Sequence, residues 1–263
     1  MAQYVLVFLS EKGGVGKTTL AALIAAAAAR DGLDVTCADL DPRATLTVAM
    51  QADTLHDAGM SMDAILAEEE PYGWGDQLRV PTSWMDNLRI IPAERSLANR
   101  EKNPADHAEH RLARAVEDMP TDVLIVDTPA RTSGVLLLSA LALPDAHVIY
   151  ACTPDQDGME GIAQGWRTVE AAQKYTNASL SMLGIGLTRY DHRTVEARRV
   201  KAELEEIYDG LLLDPPLPER VIVREARAAC DWVGNYEAGT VVSDAAHALW
   251  TGIRGKIDQK RGK

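Results

Sequence analysis

Short apolar runs recur along the chain at residues 5–9, 35–40, 88–91, 123–126, 147–151 and 183–187. The most continuous, Val123-Leu124-Ile125-Val126, reads as a strand buried on both faces. Helical patterns lie between the runs: an alanine-rich stretch at 20–29, a short amphipathic one at 60–70, and longer ones at 157–175 and 241–256. Strands alternating with helices predict βαβ units, hence an α/β fold with a mainly parallel sheet and helices on both faces. Tyr72-Gly73-Trp74-Gly75 reads as a loop. The proline cluster Asp214-Pro215-Pro216-Leu217-Pro218 reads as a rigid turn, not a linker. No internal repeat or low-complexity segment divides the chain, so residues 1–263 are expected to form one domain.

Between the first strand and the alanine-rich helix stands Lys12-Gly13-Gly14-Val15-Gly16-Lys17-Thr18-Thr19. Glycines let a backbone bend tightly and turn its N–H groups inward. A helix starting near Lys17 adds free N–H groups and the positive end of its dipole. The result is a cradle for phosphates, with Lys17 reaching the β- and γ-phosphates and the Thr18 hydroxyl holding Mg²⁺. The ordinary pattern G-x-x-x-x-G-K-[ST] needs glycine at position 11, where this chain has Glu11, and a second lysine, Lys12, precedes the double glycine. This run resembles the deviant Walker A motif of the ParA/MinD family of P-loop ATPases. The resemblance implies that Gly13 to Thr19 bind nucleotide and that Lys12 crosses a dimer interface to the partner's nucleotide.

Further motifs extend the resemblance from Val5 to about Ala246, most weakly over 44–87. Asp39 and Asp41, in Ala38-Asp39-Leu40-Asp41-Pro42, stand at the carboxyl end of the second strand, where parallel sheets collect ligands. The run is similar to the family's D-x-D-P motif, which implies that Asp41 positions the attacking water and that Asp39 lies close to the metal. The family usually has Gln after this proline, and here Arg43 follows. Asp127 ends the 123–126 strand, the place of the carboxylate that holds an Mg²⁺-bound water. The following Thr128-Pro129-Ala130-Arg131 resembles a γ-phosphate switch. Thr188 and Arg189 lie in a segment similar to one that touches the adenine edge, with Thr188 where relatives often carry Asn. Pro218 belongs to a turn that packs near the base. Basic residues in this neighbourhood imply a DNA face in the family, and here the candidates are Arg193, Arg198, Arg199, Lys201, Arg220, Arg224 and Arg227. The last three share one face at i, i+4 and i+7 if 220–227 is helical.

Charge and cysteine content narrow the picture. The chain carries a net charge of −12 and has a pI near 5.0, which excludes a protein that coats nucleic acid with its whole surface. Residues 189–227 hold eight bases and nine acids, so a DNA face has to come from folding. Between Arg43 and Arg79 there are seven acids and no Lys or Arg, whereas 254–263 hold five bases and one acid. Gly252 and Gly255 and the scarcity of large apolar residues make that tail a poor membrane anchor. The three cysteines, Cys37, Cys152 and Cys230, form no C-x-x-C, which argues against zinc or iron–sulfur chemistry. His107 and His110 fall three residues apart on the helix expected after 88–93, where they share a face with no third ligand in view. No run reaches the length of a membrane span.

The resemblance therefore implies a short ParA-type partition ATPase on a three-layer P-loop fold. ATP and Mg²⁺ are its expected cofactors, and Lys12, Lys17 and Asp41 its catalytic residues. Thr18, Asp39 and Asp127 are its metal-side residues. An ATP-dependent homodimer, nonspecific double-stranded DNA and a ParB-like centromere-binding protein are the expected partners, in a cytoplasmic, nucleoid-associated setting without membrane contact. The rivals are a related ATPase positioning another cargo (a protein compartment or a membrane-associated complex), and a metabolic or redox enzyme on the same fold.

Overall fold

A computed structural model describes residues 2–53, 57, 59–102 and 105–262. Eight strands form one sheet: β1 (Tyr4–Leu9), β2 (Val35–Asp39), β3 (Val80–Pro81), β4 (Leu88–Ile91), β5 (Val123–Asp127), β6 (Ala146–Cys152), β7 (Ser181–Leu187) and β8 (Leu212–Leu213). Their spatial order is β3-β4-β2-β5-β1-β6-β7-β8, and every neighbouring pair is parallel except β3 with β4. The sequence pattern missed only the two-residue edge strands β3 and β8, too short to show a period.

The helices are α1 (Lys17–Arg30), α2 (Thr45–Ala49), α3 (Met62–Ala67), α4 (Trp74–Leu78), α5 (Ala98–Lys102), α6 (Arg111–Ala115), α7 (Val135–Leu141), α8 (Gln156–Tyr175), α9 (Val195–Ile207), α10 (Val221–Ala228) and α11 (Thr240–Arg261). Odd and even positions of the central strands feed two separate cores. On one face Leu6, Phe8, Cys37 and Ile125 pack with α1, α10 and α11, while on the other Val5, Val7, Val126 and Tyr150 pack with α3 and α6–α9. Both faces being apolar is what a covered parallel sheet requires.

Helix α1 is buried on nearly all sides, and its alanines let α11 cross close above it. The apolar stripe Leu249, Trp250, Ile253 and Ile257 extends α11 five residues beyond the expected end at 256, despite Gly252 and Gly255. Tertiary packing thus overrides the low helix propensity of glycine. Two other expectations change. Gly73, at φ 77°, ends the expected loop and starts α4, so Trp74 and Gly75 are helical. His107 stands at φ 54°, ahead of a 3₁₀ turn over Ala108–His110, so the two histidines do not share a helix face. Lys263, the last base of the tail, lies outside the described residues.

Candidate active site

The carboxyl ends of β1, β2 and β5 converge on the glycine loop. Gly14 and Gly16 take positive φ, 85° and 86°, which only glycine adopts without strain. Gly16 is also the N-cap of α1, and its carbonyl accepts from the Leu20 N–H at 2.8 Å. The loop thereby delivers Lys17, only 5% exposed, directly beneath itself. The Lys17 ammonium donates to Asp127 Oδ1 and to the Thr128 carbonyl. The Thr18 hydroxyl donates to the other Asp127 oxygen at 2.7 Å. Asp127 is fully buried, and the Thr128 hydroxyl next to it is tied to the Phe8 carbonyl at 2.7 Å.

Parallel register sets Asp39 directly beside Asp127. Burial, and after it the Asp127 carboxylate, push the Asp39 carboxyl well above the usual range, against hydrogen bonds that favour its ionised form. Those bonds come from the Asp41 N–H at 3.0 Å, the Thr47 N–H at 3.0 Å and the Thr47 hydroxyl at 2.8 Å. Thr47 also accepts from the Ala93 N–H at 3.0 Å, joining β2 to the chain beyond β4. Asp39 therefore braces the floor of the site. Asp41, two residues farther along the chain, is buried and is gripped by Arg43. The Arg43 backbone N–H reaches Oδ1 at 2.9 Å and its Nη2 reaches Oδ2 at 2.9 Å.

Lys12 stands half-exposed at the rim and pairs with Asp157 at the start of α8, at 3.3 Å. The preceding Glu11 N–H donates to the Tyr150 hydroxyl at 3.3 Å. Lys12, the loop residues 13–19, Arg43, Ala130, Arg189 and Arg227 line a cleft of about 130 Å³. A second cleft, of about 110 Å³, continues from Gly16 and Thr19 past Thr188, Arg189, Leu217, Pro218, Val223, Arg224 and Arg227. It has the place and the partly apolar lining of a base pocket. Thr188 is buried there, and its hydroxyl donates to the Val15 carbonyl, with the Cys152 carbonyl a further acceptor at 3.2 Å. It braces the glycine loop. Pro218 bridges to Tyr190, holding the base-side turn.

The remaining basic candidates separate into two groups. Arg193 is held bidentately by Asp191, Arg199 pairs with Glu203, and Lys201 pairs with Glu205 and lies 3.6 Å from Asp214. Arg198 caps the His192 carbonyl at 2.7 Å. Arg220, Arg224 and Arg227 instead line the base-side cleft. Thr47, Tyr150 and Asp157 were invisible as site residues in the sequence, because each acts through a contact across a large separation. The buried thiols Cys37 and Cys152 are both pushed up by burial, Cys152 to about 12, so neither is a nucleophile.

The oxygen donors here, the Thr18 hydroxyl and the Asp127 carboxylate with Asp39 behind it, suit a hard cation such as Mg²⁺, and the glycine loop with Lys17 suits polyphosphate. Among the described residues no group of three or more His, Cys, Asp or Glu can hold a metal alone, and Mg²⁺ sites commonly combine few carboxylates with substrate phosphates.

Comparison with known proteins finds relatives that match most of the chain. A family model described as an AAA domain matches residues 3–182. The sporulation initiation inhibitor protein Soj of Bacillus subtilis is 30% identical over 227 residues, covering 84% of this chain and 87% of Soj. The chromosome-partitioning ATPase Soj of Thermus thermophilus is 31% identical over 219 residues, 82% of either chain. Among solved structures, a cobyrinic acid a,c-diamide synthase from Mycobacterium smegmatis with ADP and magnesium superposes with a TM-score of 0.77 at 29% identity, covering 100% of this chain and 97% of that one. A Cyanothece McdA shares the fold, with a TM-score of 0.79 at 17% identity over 96% of this chain and 98% of its own. The glycine loop with its second lysine, the carboxylates beneath it and the matches over most of the chain place this protein in the ParA/Soj family of P-loop ATPases.

Proposed function

We propose that the chain is a partition ATPase whose nucleotide state controls a homodimer and, through it, attachment to DNA. The observation that carries the reading is the position of Lys12. It is held at the rim by Asp157 at the start of α8 while Lys17 alone fills the floor of the cleft. A cation so placed suits delivery to a phosphate in a facing subunit, which makes tight nucleotide binding depend on dimerisation.

ATP with Mg²⁺ is the proposed ligand, and the metal, held by the Thr18 hydroxyl and Asp127, would neutralise charge that develops on the phosphates. Lys17 leaves its contacts with Asp127 and the Thr128 carbonyl to meet the phosphates, while the Thr18 hydroxyl and Asp127 hold the metal side. Asp39 keeps Thr47 and the Asp41 backbone in place. Asp41 orients the attacking water, and Lys12 supplies charge to the partner's nucleotide. Pro218, Arg189 and the apolar wall of the second cleft hold the base. Nonspecific DNA contact comes from phosphate pairing by Arg193, Arg198, Arg199 and Lys201, with Arg220, Arg224 and Arg227 near the nucleotide edge. Several of these cations must exchange a carboxylate partner for a DNA phosphate, so attachment is salt-sensitive. A ParB-like partner on a centromere-like site stimulates slow hydrolysis, and the setting is cytoplasmic and nucleoid-associated. Among the described residues no helix is long and apolar enough to cross a membrane.

The test is duplex-DNA binding with ATP, ADP or no nucleotide across a range of salt, with Lys12→Ala in parallel. ATP-dependent, salt-sensitive binding that the variant loses is the expected result. ATP-driven dimerisation without DNA binding in any state would overturn the DNA reading and favour a relative that positions another cargo.

A further inference from the structure

Among the described residues, Arg43 is the one cation lining the phosphate cleft whose guanidinium is held by a proposed catalytic carboxylate while largely open to solvent. Its guanidinium meets Asp41 through Nη2 at 2.9 Å and through Nε at 3.3 Å to each oxygen, while its own N–H takes Oδ1 at 2.9 Å. Asp41 is 4% exposed and Arg43 65% exposed, so the pair has a fixed acceptor and a movable donor. The third nitrogen, Nη1, makes no hydrogen bond among the described residues. It lies 4.0 Å from where a Cβ on Gly13 would stand, and Arg43 lines the cleft with the glycine loop.

A carboxylate saturated by a guanidinium is poorly placed to take a hydrogen bond from water. A terminal phosphate offers the same fork geometry with more charge, and so competes for the same donors. We propose that Arg43 is an exchangeable clamp: it grips Asp41 until a terminal phosphate enters the cleft, then transfers its guanidinium to that phosphate and leaves Asp41 free to orient water. Recognition of the third phosphate and release of Asp41 become one event. The proposal rests on the ATPase reading of the site and on Asp41 lying at its terminal-phosphate side. Arg43 acts through Asp41 as a positioning residue and touches substrate only in the exchanged position.

The experiment measures dissociation constants for Mg²⁺-ADP and for a non-hydrolysable Mg²⁺-ATP analogue on the full chain, as wild type, Arg43→Ala, Arg43→Lys, Asp41→Asn and the Arg43→Ala/Asp41→Asn double variant. Arg43→Ala is expected to weaken the analogue about tenfold and leave ADP unchanged, as loss of one charge-assisted contact predicts. Arg43→Lys recovers only part of the loss, because an ammonium cannot form the fork. Asp41→Asn, which frees the clamp, tightens the analogue several-fold, and most of that gain disappears in the double variant. The proposal is overturned if Arg43→Ala weakens both nucleotides equally or neither, or if the Asp41→Asn gain survives without Arg43. Unfolding midpoints near wild type confirm that the exposed Arg43 variants are folded. If the folded wild type binds neither nucleotide, the ATPase reading fails and the clamp with it, a result distinct from loss of selectivity alone.

Discussion

Helix α8 rests on the ring of Tyr150 through two glycines, and the two contacts can be told apart experimentally. A Cβ on Gly165 would stand 2.3 Å from Cε2 and 2.5 Å from Cδ2 of Tyr150, whereas one on Gly161 would stand 2.4 Å from the Tyr150 hydroxyl oxygen and 3.2 Å from Glu11 Oε2. Relaxed carbon–carbon contacts lie at about 3.5–4.0 Å, so about 1 Å must be absorbed at Gly165 by a ring only 2% exposed. Overpacking of this kind costs about 1–3 kcal/mol, and replacing glycine in a helix interior returns about 1 kcal/mol. Each alanine variant should therefore lose up to about 2 kcal/mol net, a fall in Tm of up to about 8 °C for a chain of this size. Tyr150→Phe removes the hydroxyl and keeps the ring, and costs about 1 kcal/mol for the hydrogen bond from the Glu11 N–H. In that background Gly161→Ala should become neutral to stabilising by about 1 kcal/mol while Gly165→Ala keeps its full cost. The assay is chemical denaturation of the four single and double alanine variants beside wild type and Tyr150→Phe. The expected coupling is about 1–3 kcal/mol for the first pair and below about 0.5 kcal/mol for the second. Equal rescue of both alanines, or of neither, would refute the geometry. Because Tyr150 also holds Glu11 at the entrance of the glycine loop, nucleotide affinity in Gly161→Ala tests whether α8 and the loop move together.

Three other outcomes follow from particular contacts. Lys17→Ala should abolish nucleotide binding in a calorimetric titration. It should also lower the protein's own stability by about 3 kcal/mol in denaturant, because Asp127 and Asp39 then stay buried side by side without a cation. Asp41→Asn should reduce ATP turnover by at least about 10²-fold in a phosphate-release assay, the scale of a lost proton-handling or water-orienting group. His147 on β6 is 8% exposed, and burial, then Lys260 and Arg261, lower its pKa from 6.5 to about 4, against an opposing pull from Asp145. The unfolded chain therefore binds the proton first. This group's stability is full above pH 6.5 and is lost as pH falls towards 4, by up to about 3 kcal/mol. Denaturant midpoints between pH 4 and 7 should show the slope in wild type and a flatter one in His147→Gln, which keeps a polar partner for the Ser181 hydroxyl now 2.7 Å from the imidazole.

What the sequence disclosed and what it withheld divide along range. The glycine loop and Asp127 were legible because backbone freedom, a helix start and a strand end are all written within a few residues. The central strands were legible because burial on both faces leaves continuous apolar runs. The stretch 44–87 was opaque for the opposite reason. Thr47 serves Asp39 and Ala93 at once, and Trp84 tilts onto Trp232 at 5.6 Å while donating to the Cys230 carbonyl. Both side chains are placed by partners far along the chain, and no local period reports that. Arg220, Arg224 and Arg227 show the same limit. Arg224 and Arg227 lie on α10, but Arg220 is its extended N-cap at φ −142°, so the helical spacing holds for two of the three and is silent about what that side meets. The fold sets it against Thr188, Leu217 and Pro218, along the cleft where a base would lie. On the proposed function, a cation there would answer to the nucleotide and to DNA phosphates in turn. Charge-removing variants at Arg224 and Arg227 should therefore change nucleotide affinity as well as the salt slope of DNA binding, whereas Arg199→Ala on α9 should change the salt slope alone.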